Sequence, residues 1–148
     1  MIEHPSQPAN RASPIAHCII GKEYYLCRNA SHALICTLRA LHKIGGDRLL
    51  DELAEKIRGP RRNHLARTKA EVYPFENSWD NQVRDLVPGR FIGLNCNNDA
   101  KEKWVEAACS LLGKSYGPGR DVWVIWAKPL PPGKTRAYFD PVYWEPGP

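Results

Sequence analysis

The feature that most constrains the fold is the run Val122-Trp123-Val124-Ile125-Trp126-Ala127, six apolar residues without a break. A run this short and this apolar fits a strand buried on both faces, not a solvent-facing ladder. The residues before it sharpen that reading. Arg90–Asn95 holds Phe91, Ile92 and Leu94 in strand-like sequence, with Gly93 permitting close backbone approach. Asn98 or Asp99 then caps a helix through Leu112, whose Trp104, Val105, Ala108, Cys109, Leu111 and Leu112 form a broad apolar face, and Gly113 closes it. Strand, helix, strand in this order is the pattern of a right-handed parallel crossover. After Pro131-Pro132-Gly133, residues 135–140 are expected to return antiparallel beside the last strand.

The first half reads as a hairpin followed by two helices. Ile15–Ile20 and Glu23–Cys27 are separated by Gly21-Lys22, a gap suited to a tight turn with positive φ at glycine. Asn29 or Ser31 can cap a helix whose Leu34, Ile35, Leu38, Leu41 and His42 share a face. Gly45-Gly46 ends it, and Asp47 caps a second helix carrying Leu49, Leu50, Leu53, Ala54 and Ile57 to Gly59-Pro60. The expected fold class is α+β: an N-terminal hairpin and helix pair, then a βαβ unit with an antiparallel return strand in a small mixed sheet. Residues 1–14 read as a flexible tail and 15–148 as one domain, because 148 residues suit a single core.

Composition narrows the setting. No stretch reaches the roughly 18 apolar residues that a membrane-spanning helix needs. The five cysteines, an odd number at irregular spacing, argue against a disulfide framework, so a cytoplasmic, membrane-free protein is expected. The net charge of +5 is concentrated locally. Arg58, Arg61, Arg62, Arg67 and Lys69, with His64 among them, lie in a stretch without Asp or Glu. Guanidinium forks match phosphate oxygens, so the leading expectation is a small binding protein that contacts an anionic partner such as nucleic acid through residues 58–69. That expectation requires guanidinium groups standing unpaired in water. It also requires salt-dependent affinity that falls when Arg61, Arg62 and Arg67 are replaced by alanine.

Cysteine chemistry supplies the other candidates. Cys18, Cys27, His32 and Cys36, with His17 and His42 near them in sequence, offer thiolate and imidazole ligands. No two cysteines stand two to four residues apart, so no metal site and no cofactor are assigned from spacing. The segment LCRNASHALICTLRAL resembles the nucleophile-bearing helix start of papain-like cysteine hydrolases, and VWVIWAKPLPPGKTRAYFDPVYW resembles the strand pair that delivers their base and orienting residue. The resemblance implies Cys27 or Cys36 as nucleophile and Asp140 as orienter, in a hydrolase or toxin domain. The histidines, at 4, 17, 32, 42 and 64, all precede the place of the family's base. If Ala30 takes the nucleophile position, the chain is an inactive relative. A last expectation is a protein-interaction module using the aromatic C-terminus around Tyr143 and Trp144.

Overall fold

The computed structural model describes residues 15–60, 62–74, 82–94 and 96–128. The tail 1–14, Arg61, the return strand 135–140, Asp140 and the aromatic C-terminus lie outside the described residues. The protein is α+β. Strands β1 (Ile15–Ile20) and β2 (Glu23–Cys27) form the expected hairpin, with Gly21 at φ 61° in its turn. Helix α1 follows at Ala30–Ile57, capped by the Asn29 side chain, which accepts the His32 backbone N–H at 2.9 Å.

The expected helix pair is present, but with no loop inside it. The helix runs on through a break at Gly46, whose φ of 71° and ψ of −168° belong to glycine. Gly45, beside it, serves a second purpose. A Cβ there would sit 2.7 Å from Leu112 Cδ2 and 2.9 Å from Leu49 Cβ, so the missing side chain lets α1 approach the end of the next long helix. The expected stripe Leu49, Leu50 and Leu53 is buried, and α1 ends at Ile57 just before Gly59-Pro60.

Two elements then appear that sequence periodicity leaves unresolved: β3 (Leu65–Ala66) and the one-turn α2 (Lys69–Val72). Strands β4 (Val83–Val87) and β5 (Arg90–Gly93) follow, then α3 (Asn98–Leu111), capped by Asn97, and β6 (Val122–Lys128). Strand, helix and strand therefore occur in the expected order at β5, α3 and β6. The parallel crossover does not. Strand β5 lies in an antiparallel sheet of order β3-β5-β4, whereas β6 pairs antiparallel with β1 in a sheet of order β2-β1-β6. Neither described sheet is mixed. The apolar run dictates a strand but not its neighbour. The 113–121 connection, with Gly113, Gly117 and Gly119 at positive φ, carries the chain to β1 instead. Strand β6 also has distinct faces: Val122 and Val124 are buried, while Trp123 and Ile125 are half-buried and Trp123 packs edge-on against Tyr116 at 5.6 Å.

The main core joins both sheets to both long helices. Leu34, Leu38, Leu41, Leu50 and Leu53 of α1 cluster with Val105 and Ala108 of α3, Ile92 of β5 and Val124 of β6. No helix among the described residues is long and apolar enough to cross a membrane.

Candidate functional site

The cysteines that spacing kept apart meet in this core. Antiparallel register places Cys18 opposite Tyr25 and Cys27 opposite Ala16, so the two cysteines are diagonal neighbours on one face of the hairpin. Their Sγ atoms are 3.6 Å apart. Helix α1 lies across that face. The Ala33 carbonyl is 3.6 Å and the Thr37 hydroxyl 3.1 Å from the Cys18 sulfur, and Cys36 contributes a third thiol. The three sulfurs lie within 4.8 Å of one another, with exposures of 0% for Cys18 and Cys27 and 8% for Cys36. Three elements thus converge on one cluster of soft donors.

The cluster is electrostatically asymmetric. Hydrogen bonds from Cys18 and then Cys27 lower the proton affinity of Cys36; burial opposes them, and the Arg39 and Lys43 charges add to the lowering. For Cys27, the hydrogen bonds to Cys18 and Cys36 and then burial all push its pKa upward. Cys18 is lowered by its bond with Cys27, but the bond to Cys36 and burial outweigh this and raise it overall. Of the three thiols, Cys36 is the one whose charged form its neighbours favour. Cys96 and Cys109 lie elsewhere, and burial raises the pKa of each, that of Cys109 to about 11.

The nearby histidines divide. His32, one turn before Cys36, is lowered to about 4 by burial and then by the Arg28 and Arg84 charges, so its ring is neutral at pH 7. It is not within the three-sulfur group. His17 faces away, with Nδ1 2.6 Å from the Tyr24 hydroxyl, and His42 bonds Asp47 at 2.8 Å. Of the residues that the papain-like resemblance implies, Cys27 and Cys36 are buried together here, and Asp140 lies outside the described residues.

The basic segment leaves the end of α1 as its sequence suggests, but its cations have company. Arg58 pairs with Glu55 at 3.4 Å, and Arg67 with Asp51 at 3.2 Å. Arg62 stacks over the Tyr73 ring at 5.6 Å. His64 packs on Trp104 with ring centroids 4.7 Å apart, and burial, followed by the Arg62 charge, lowers its pKa. Lys69 is exposed in the first turn of α2. Sequence reasoning also missed Arg90. Its nearly buried guanidinium bonds Asp51 at 3.0 Å, so one carboxylate serves both Arg67 and Arg90. Those two arginines and Asp51 line a groove of about 340 Å³ between α1 and β3.

A metal ion bonded to sulfur at about 2.3 Å holds its thiolates roughly 4 Å apart, whether three donors surround it or four. The Cys18–Cys27 separation of 3.6 Å is close to that value, and all three sulfurs lie within 4.8 Å of one another. The signal for the cluster was available in the hairpin register, not in the linear spacing. No protein-family model matches the chain, and no curated protein or solved structure matches it.

Proposed function

We propose that this domain binds a thiophilic metal ion through Cys18, Cys27 and Cys36. The observation that carries the reading is the convergence of three buried Sγ atoms, from β1, β2 and α1, within 4.8 Å. Thiolates are the soft ligands that select such ions, and a site joining three elements couples the ion to folding. Dialysis of the fully reduced protein against cadmium, as the soft-ion probe, is expected to leave about one ion per chain, with a sulfur-to-cadmium charge-transfer band. Cys18→Ser and Cys36→Ser should each lose at least roughly tenfold in affinity, a loss of the size seen when a metal site is disturbed. Cys96→Ser and Cys109→Ser should bind as the wild type does. Equal binding by all four variants would end the reading.

The anionic-partner reading asks for unpaired guanidinium groups, and Arg58 and Arg67 are paired instead; what supports it is the exposure of Arg58, Arg67 and Lys69 on one segment. A phosphate would have to compete with Glu55 and Asp51 for the two arginines. Its test is a single-stranded DNA filter-binding titration at several salt concentrations. Affinity that does not fall with salt removes it.

A further inference from the structure

We infer that the Cys18–Cys27–Cys36 site is a three-coordinate, all-sulfur site for the cuprous ion, not a zinc site. The inference rests on the metal-binding reading above and names the ion. A structural zinc centre closes with four protein ligands, and a three-ligand zinc centre keeps a fourth position open to water or substrate. Neither condition is met by the described residues. The cluster supplies three sulfurs, and His32, the nitrogen donor nearest in sequence to Cys36, stays outside it. Two of the three cysteines are fully buried and the third is 8% exposed, so a water reaching the ion would have to enter the core.

What surrounds the sulfurs fits the same conclusion. Ala33, Leu34, Ile35 and Leu38 of α1 belong to the same core cluster and are buried around this part of the helix. Two oxygens lie near a cluster sulfur, the Thr37 hydroxyl at 3.1 Å and the Ala33 carbonyl at 3.6 Å, both from Cys18. A neutral alcohol and an amide carbonyl are both hard donors and poor fourth ligands beside three thiolates. Monovalent copper is soft, accepts thiolate ligands and needs no fourth one. Its tris-thiolate complex is anionic, and Arg39 and Lys43 act on the Cys36 side to offset that charge. Binding is a ligand exchange without electron transfer. Each thiol proton displaced by copper leaves to buffer, and copper remains cuprous throughout.

The test is anaerobic competition on the full chain. Cuprous ion would be supplied from a buffered chelator, with zinc present in about hundredfold excess, and metal content and X-ray absorption would be measured. The expected result is that copper is retained, with three sulfur scatterers and no oxygen or nitrogen in its first shell. Two sulfur scatterers, or zinc displacing copper with a light-atom fourth ligand, overturns the inference. Should cadmium or zinc bind at the three thiols while copper is not preferred, the metal-binding reading stands and the choice of ion falls. If no ion binds, both fall. The sulfur count is read on the wild type, so a Cys36→Ala variant that fails to fold leaves the test intact; a folded one is expected to lose copper at least tenfold more readily.

Discussion

Trp104→Ala is expected to cost about 3–5 kcal/mol of folding stability, the range for truncating a well-packed aromatic side chain. Trp104 is 6% exposed on α3, and its ring meets the His64 imidazole at 4.7 Å with a 41° tilt. The contact fastens the segment after α1 to the far helix. It acts with a backbone bond from Gly93 N–H to the His64 carbonyl at 2.8 Å, which ties the same residue to β5. Removing the indole leaves a cavity against α3 and frees a stretch of chain that is otherwise pinned from two sides. Urea unfolding of Trp104→Ala and Trp104→Phe would measure the effect, with phenylalanine recovering part of the loss. A cost below about 1 kcal/mol, in the range of surface substitutions, would show that the ring is not packed as described. The outcome also bears on His64, whose pKa is lowered by burial and then by the Arg62 charge.

The elements that the sequence disclosed are those whose information is local. The hairpin bounds at Ile15–Ile20 and Glu23–Cys27 follow from two apolar runs and one glycine turn. The two stripes of α1 follow from leucine spacing, and the break falls at the glycine pair that invites it. What the sequence concealed is pairing. Val122–Lys128 is plainly a strand, but whether it lies beside β5 or β1 depends on the turn geometry of residues 113–121 and on which strand edge is open. Strands β3 and β4 were hidden for another reason. Leu65–Ala66 is too short to show a period, and Val83-Arg84-Asp85-Leu86-Val87 bends at a bulge that interrupts its alternation.

The site divides in the same way. Counting charges along 58–69 identified a basic segment but could not see Glu55 and Asp51, which face it from α1. Counting cysteine spacings named Cys18, Cys27 and Cys36 among possible ligands but gave no ground for joining them, because their geometry comes from strand register and a helix crossing. Cys18 and Cys27, nine residues apart, meet only because the hairpin folds them onto one face. Parity along the two strands held that information. The lowering of Cys36 by its neighbours did not show in sequence at all, since it requires knowing that the α1 turn at Ala33–Thr37 lies over Cys18.

Because its donors come from β1, β2 and α1, the ion should act as a clasp on the fold. Saturation at about a thousandfold above Kd is expected to raise stability by about 4 kcal/mol, since a ligand that binds only the native state stabilises it by mass action. The pH dependence follows from the proton inventory. Cys36 is lowered and enters as thiolate, whereas Cys18 and Cys27 are raised and must surrender protons to the ion. Release of those two protons makes affinity fall by roughly a hundredfold for each pH unit of acidification near neutrality. The metal-free chain runs in the opposite sense at alkaline pH. The raised thiols stabilise the fold below the ordinary thiol range and lose that contribution as pH climbs above it, while the lowered Cys36 adds stability only up to that range and nothing further beyond it. The gap between loaded and metal-free protein should therefore widen from pH 6 to pH 9. Thermal unfolding of both forms across that interval measures it, and calorimetry in buffers of different ionisation enthalpy counts the protons. A gap that stays constant with pH would mean that no thiol proton is lost on binding, and the ion would have to sit somewhere other than on these three sulfurs.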